Sequence, residues 1–346
     1  MSIPSKTKAL VLAEKPTGEV TDKTFRLEER DLPELKDGQL LVQTLYFSND
    51  PAQRTWIDPS VVPERAYGPV GVVGEPMPSS FLGRVAKSKS DKWKEGSLIV
   101  ALGGWAEWHV LDGAQGRVFP ATTVEGQSES IALSALGMVT MTAWCGLHKV
   151  AETKKEDTVV ISGAAGATGS AAVQIAKKLI GCKRVIGIAG GPDKCAWVKK
   201  LGADECIDYK SATFEDDLAK ATEGYVDVYF DNVGGPVLNA MFPRMARWSR
   251  IIACGAISGY NSKDPVDLRN WFNIISMRIR VQGFIVVDFM ADWPTAAQDV
   301  SKAIADGRFI TEGTETKVKS SFEEVPKVWK RLFSGDNQGK LVTQIV

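Results

Sequence analysis

Histidine is scarce in this sequence, and neither sign of charge is in excess. Two histidines occur in 346 residues, and the first 130 residues hold no cysteine and only His109. Transition-metal sites draw on several Cys, His or carboxylate ligands at recognisable spacing. The five cysteines, at 145, 182, 195, 206 and 254, include no C-x-x-C pair. No metal site and no disulfide framework are therefore expected, and an odd number of thiols fits a reducing, cytoplasmic compartment. The same scarcity argues against a His-based catalytic triad. His109 falls in the alternating run from Trp105 to Leu111, which reads as a strand. His148 follows Gly146-Leu147 near an expected helix end, where a cation is favoured. Both are expected to be structural.

Lys+Arg and Asp+Glu are each 42, so the formal charge is zero. A chain this neutral has no global attraction to nucleic acid or to an anionic membrane. Met1 to Lys8 contains no apolar run that would read as a secretory leader. Ile131 to Leu147 has no charged residue, but its 17 residues fall short of a bilayer span and include Ser134, Thr140 and Thr142. A buried helix is expected there. Internal repeats and low-complexity segments are absent. What is abundant is glycine, at 32 residues with no collagen-like period. Glycine in this amount serves turns or lets the backbone approach a ligand closely.

The amino-terminal ~130 residues read as β-rich, with short apolar runs (9–12, 40–46, 98–102) between turn signals. From about residue 135, helical patterns alternate with β-branched runs, as in βαβ units on a parallel sheet. Strands are expected at 158–162, 184–188, 226–231, 251–255 and 281–287, with helices at 170–180, 193–201, 214–222, 236–246 and 292–305. The tail returns to β-like runs around one helix at 322–333. The fold class is α/β: a β-rich domain, 1–132 with 309–346, interrupted by a doubly wound parallel-sheet domain at 133–308.

After the first βαβ strand comes Gly163-Ala-Ala-Gly166-Ala-Thr-Gly169. This is G-x-G-x-x-G with Ala164 in place of the first glycine, set between a strand and a helix. Gly166 would let the backbone approach a pyrophosphate, and Gly169 would let the helix pack close to the strand. The N–H groups of the first helical turn, from Ala167 and Thr168 onward, would face the phosphates. An NAD site wants an acidic residue at the end of the second strand. Here that strand ends Ala189-Gly190-Gly191-Pro192-Asp193-Lys194. Small residues leave room for a 2′-phosphate and Lys194 can meet it, so NADPH is the expected cofactor. Asp193 reads as a helix-start residue. Gly335 to Lys340 is one residue short of a P-loop and lacks its Ser/Thr. Cys254 ends an apolar strand with no basic neighbour and does not read as a nucleophile.

Ala164–Gly169, Tyr229-Phe-Asp-Asn232-Val-Gly-Gly235, Cys254-Gly-Ala-Ile-Ser258-Gly-Tyr260-Asn261 and Gly335-Asp-Asn337-Gln-Gly-Lys340 resemble the zinc-independent medium-chain dehydrogenases/reductases. The likeness is to their NADP-dependent alkenal double-bond reductase branch, which includes leukotriene 12-hydroxydehydrogenase/prostaglandin reductase, and it spans essentially the whole chain. It implies a GroES-like substrate domain, a Rossmann domain, NADPH and a homodimer. The implied reaction is reduction of the carbon–carbon double bond of α,β-unsaturated aldehydes or ketones. The implied cofactor contacts are Gly166, Ala167, Thr168, Gly169, Gly190, Lys194, Tyr209 and Asn232. The loop of Cys254, Gly255, Ala256, Ile257, Ser258 and Tyr260 adds further contacts, as do Phe284, Ile285, Val286 and Asn337. Tyr260 would donate a hydrogen bond to the carbonyl oxygen as enolate charge builds there. One departure stands out: where the family often reads D-P-Y-M-R, this chain has Asp50-Pro51-Ala52-Gln53-Arg54. Losing that aromatic is expected to widen or reshape the substrate pocket. Quinone reduction, secondary-alcohol oxidation and a non-catalytic NADPH-binding role are the alternative readings on this scaffold.

Overall fold

The structure is a computed structural model and describes residues 4–262 and 267–346. The chain divides into two compact units. The first comprises Met1–Leu133, Thr316–Asp336 and Leu341–Val346, and the second Ser134–Glu315 with Asn337–Lys340. The second unit thus extends past the expected limit of 308, and it takes back four residues of the tail.

In the first unit, β1 (Lys6–Leu12) pairs antiparallel with β2 (Phe25–Asp31). A larger sheet contains β3 (Gln39–Ser48), β4 (Pro78–Ser88), β5 (Leu98–Gly104), β6 (Trp108–Asp112) and β7 (Val118–Pro120). Between β3 and β4 lies one short helix, α1 (Gln53–Trp56). Gly68, Gly71 and Gly74 sit in the loop that follows, and β4 begins only at Pro78. The tail adds β14 (Glu315–Ser320), α9 (Val325–Ser334) and β15 (Lys340–Ile345), with β15 laid against β3. The sequence explains this return. Val325, Val328, Trp329 and Leu332 form one apolar stripe at helical spacing, and all four are buried. Trp329 stands edge-on to Trp105, which in turn lies 4.9 Å from Phe25. The tail therefore completes a core that the amino-terminal segment begins.

The second unit is built on a parallel sheet. Its strands are β8 (Thr158–Ser162), β9 (Arg184–Ala189), β10 (Glu205–Asp208), β11 (Val226–Asp231), β12 (Met245–Ala253) and β13 (Arg280–Gly283). They lie in the order β10-β9-β8-β11-β12-β13. That order reverses direction beside β8, the place where doubly wound sheets bind dinucleotides. Helices α2 (Met138–Cys145), α3 (Ala167–Gln174), α4 (Pro192–Leu201), α5 (Phe214–Ala221), α6 (Gly235–Met241), α7 (Phe272–Met277) and α8 (Trp293–Ala305) complete the unit. The uncharged stretch before residue 147 is a buried helix only in part. It runs through a 3-10 turn at Glu129–Leu133 and then α2. No helix among the described residues is long and apolar enough to cross a membrane.

Candidate active site

The turn after β8 is glycine-dependent at two points. Gly163 takes φ +57° and carries the reversal, so Ala164 needs no special backbone. Ala164 is fully buried, and its N–H bonds the Ile188 carbonyl at 3.0 Å. Gly166 then starts α3 in an extended conformation with no side-chain cap. At Gly169, an added Cβ would lie 2.2 Å from the Gly163 carbonyl oxygen. Only glycine allows α3 to begin this close to the strand. The helix starts at Ala167, three residues earlier than its apolar pattern suggests. The first-turn N–H groups of Ala167 and Thr168 thus point beyond the carboxyl ends of the strands, where an anion is stabilised.

The second and third strands shape a neighbouring surface. Gly190 faces the Tyr209 ring, which a Cβ would meet at 2.8 Å. Asp208 Oδ1 accepts the N–H groups of Gly191 at 2.8 Å and Lys210 at 2.9 Å. Tyr209 is 48% exposed, and Lys194 lies half-buried in the first turn of α4, whose start is Gly191. Asp193 is exposed in that same turn.

After β11 and β12 two loops interlock. Ile257 and Ser258 donate backbone N–H groups to the carbonyls of Asn232 and Val233, and Ser258 Oγ donates to Val233 at 2.6 Å. The Ala256 N–H donates to Tyr260 Oη at 3.1 Å. A Cβ on Gly255 would lie 3.1 Å from the Asn232 carbonyl oxygen and 3.4 Å from Tyr260 Oη. Cys254 and Gly255 fall just past the end of β12, which stops at Ala253 rather than at the expected residue 255. Burial, followed by the negative charge of Asp231, pushes the Cys254 thiol up to about 12. It is no reactive thiolate.

Family comparisons agree with this arrangement. The family model described as "N-terminal domain of oxidoreductase" matches residues 8–118, and that described as "Zinc-binding dehydrogenase" matches 167–302. Rat prostaglandin reductase 1 is 35% identical, over 94% of this chain and 94% of its own. The NADPH-dependent curcumin reductase of Escherichia coli is 31% identical, over 97% and 96%. A yeast protein named an uncharacterized membrane protein is 34% identical, over 93% and 91%. CurA from Vibrio vulnificus, solved in complex with NADPH, superposes with a TM-score of 0.89 at 34% identity, over 98% and 99%. The chain is a zinc-independent medium-chain dehydrogenase/reductase.

For a member of this family, the remaining expected contacts lie as follows. Asn337 bonds its own turn through Nδ2 to the Gly339 carbonyl at 3.0 Å. Gly339 donates its N–H to the Ala165 carbonyl at 2.8 Å, which sets residues 337–340 beside the Gly163–Gly169 turn. Lys340 is buried at the start of β15, so the P-loop resemblance has no structural counterpart. Phe284, Ile285 and Val286 are not in a strand, because β13 stops at Gly283 and a 3-10 turn begins at Val286. Phe284 stands edge-on to Phe289. A Cβ on Gly146 would meet the Phe284 ring at 3.1 Å, so Phe284 packs closely there. Asn261 follows Tyr260, half-buried.

Among the described residues, no group of three or more His, Cys, Asp or Glu side chains could hold a metal ion. His109 is stacked on Phe81 at 4.1 Å, and burial drives its pKa down to about 4. His148 lies inside the helical segment that continues α2, Gly146–Val150, beside Trp144, and burial lowers its pKa as well. The helix-end cation expected there is overridden by desolvation. In the first unit Ala52 immediately precedes α1. Thr55 Oγ1 bonds the Ala52 carbonyl at 2.8 Å and the Tyr67 hydroxyl at 2.9 Å. Sequence reasoning passed over Ser162, Tyr229 and Asp231, although two of them lie inside the quoted Tyr229–Gly235 motif.

Proposed function

We propose that this oxidoreductase uses NADPH to reduce the carbon–carbon double bond of α,β-unsaturated aldehydes and ketones. The observation that carries the reading is the Tyr260 hydroxyl, set by the Ala256 N–H in the loop that closes over Gly255 and Asn232. The residues fit the cofactor. Gly166 and Gly169 form a turn that a Cβ would fill, and the uncapped start of α3 suits a pyrophosphate. Gly190, Gly191, Lys194 and Tyr209 make room for a 2′-phosphate and supply one cation. Asn232, residues 254–260, Phe284–Val286 and Asn337 would surround the rest.

Held by these residues, NADPH would supply a hydride for the substrate's β-carbon. The π electrons then move onto the carbonyl oxygen as an enolate. Tyr260 holds its hydroxyl hydrogen toward that oxygen, and the N–H already donated to Oη makes it a better donor. Uptake of one proton at the α-carbon gives the saturated carbonyl compound. To test this, NADPH consumption is followed with an alkenal, a cyclic enone and a quinone, alongside NADP⁺ with a secondary alcohol. A saturated ketone from the enone supports the reading. Activity confined to quinone or alcohol sinks it, and tight NADPH binding without turnover points to a non-catalytic role.

The protein is further read as a cytoplasmic homodimer acting on small molecules, with no nucleic-acid or membrane partner. Five free thiols support the compartment. An uncovered sheet edge supports the dimer: β13 is exposed along its length, and neighbouring α7 has no buried residue. Phe272 and Ile275 there are 70% and 64% exposed. A bare edge strand with apolar flanks is a surface that a second copy would cover. Sedimentation at micromolar concentration should give twice the chain mass of 37.6 kDa; a monomer there refutes it.

A further inference from the structure

Ser162, Tyr229 and Asp231 are buried polar side chains that the proposed chemistry leaves unused. They sit among strands whose other residues are largely apolar, where an unbonded hydroxyl or carboxylate is costly. Each is bonded, and the bonds lead to the site. Asp231 Oδ1 accepts from Ser162 Oγ and from Tyr229 Oη, both at 2.9 Å. It also accepts the N–H groups of Val233 and Gly234, both at 3.0 Å. The backbone carbonyl of Asp231 takes the N–H groups of Cys254 at 2.9 Å and Gly255 at 3.0 Å. Ser162 Oγ in turn accepts the Asn232 N–H at 2.9 Å, and the Ser162 carbonyl accepts Asn232 Nδ2 at 2.7 Å. The Asp231 carboxylate and the Ser162 hydroxyl therefore hold the start of the loop after β11, and the main-chain carbonyl of Asp231 ties the loop after β12 to the same residue.

We infer that Asp231, with Ser162 and Tyr229, is a positioning residue that fixes Asn232, Val233 and Gly234 and, through the bonds of Ser258 to Val233, the loop that carries Tyr260 around the nicotinamide. The inference rests on reading this edge of the sheet as the NADPH site. None of the three side chains needs to touch substrate. Their work is done through backbone N–H groups, whose placement sets the orientation of the reacting groups. Burial, followed by the charge of Asp231, raises the Tyr229 phenol well above its usual value, so it keeps its hydrogen and donates. Charge-assisted bonds of this kind are stronger than neutral ones. Replacing the carboxylate by an amide removes the charge, and an amide nitrogen turned to the Oδ1 position would set a further donor against the four that converge there.

The test uses the full chain with Asp231→Asn, Ser162→Ala and Tyr229→Phe, the last two being deletions of one oxygen that keep the core filled. Each is examined for Tm without cofactor, Kd for NADPH, emission from bound NADPH, kcat and the isotope effect with 4-deuterated NADPH. The expected result for Asp231→Asn is a fall in kcat on the order of 10- to 100-fold. The isotope effect should rise and the emission of bound NADPH should change, while Kd moves by less than about threefold. Tyr229→Phe and Ser162→Ala should shift the same readouts in the same direction by less. Folded variants with wild-type isotope effect and emission, whose activity merely follows Tm, would assign the trio to stability alone and overturn the inference. Wild-type protein that neither binds NADPH nor alters its emission overturns the cofactor reading itself and this inference with it.

Discussion

Replacing Tyr260 by phenylalanine removes a donor and, at the same stroke, the acceptor for the Ala256 N–H. If the hydroxyl stabilises a developing enolate, kcat with an enal should fall roughly 10²- to 10³-fold, the scale seen when one oxyanion donor is lost. NADPH affinity should change little, because the loop keeps its bonds to Asn232 and Val233. Full kcat in Tyr260→Phe would rule out the donor role. Lys194 tests a different bond. A charge-assisted contact to the 2′-phosphate is worth about 1.5–3 kcal/mol. Lys194→Ala should therefore lower the preference for NADPH over NADH by roughly 10- to 100-fold, measured as the ratio of kcat/KM values. An unchanged ratio would remove Lys194 from the site. Both candidates come from local signals in the sequence: a strand end, a glycine pair, a lysine in a first helical turn. Asp231 and Ser162 were not legible in this way. They act on each other across 69 residues of chain, and on N–H groups that any residue could supply. A motif names such residues without revealing what they hold.

Elements were readable where they are buried on both faces. Strand β8 and strand β11 fall where their apolar runs place them. The sheet's edges were harder. Strand β10 has four residues, of which Ile207 alone is fully buried, so no periodicity announces it. Its register sets Asp208 and Tyr209 beside Gly190, the surface proposed for the phosphate-bearing ribose. At the other edge, β-branched residues suggested a strand to Val287, but the chain turns after Gly283 because beyond it no neighbouring strand continues the ladder. Helix α7 is six residues long and packs only Ile274 and Met277, both partly buried, on the core, too short a stripe for periodicity to announce. The short segment 337–340 gives the element-scale prediction. Gly339 has φ +64°, and a Cβ there would lie 2.1 Å from the Thr314 carbonyl oxygen. Because this contact is with backbone, Gly339→Ala should displace the segment from the Ala165 carbonyl and carry Asn337 with it. Kd for NADPH should rise at least about tenfold and Tm should fall. Wild-type affinity in a folded Gly339→Ala protein would show that the segment plays no part in holding the cofactor.

At the scale of the molecule, balanced charge leaves few groups able to make stability depend on pH near neutrality, and the two histidines are the principal ones. His109 lies in β6, stacked on Phe81, with burial lowering its pKa from 6.5 to about 4. In the unfolded chain the imidazole binds a proton at its ordinary value, whereas in the fold it stays neutral. The stabilisation is then fully present above pH 6.5 and is lost as pH falls toward 4. From the two pKa values the loss is at most about 3 kcal/mol. His148, also lowered, acts in the same direction. Carboxylates held below their ordinary value, such as Asp58, Glu28 and Glu323, begin to lose their contribution near pH 4.5, but they do so equally in wild type and in a variant at position 109, so the difference between the two proteins isolates His109. His109→Phe keeps a flat ring against Phe81 and has nothing to protonate. Unfolding midpoints of the two proteins in denaturant, compared at pH 7 and pH 4.5, should show the variant losing markedly less stability on acidification. Equal losses would mean that His109 is protonated within the fold as easily as in the unfolded chain, and that the buried stack does not govern the acid limb.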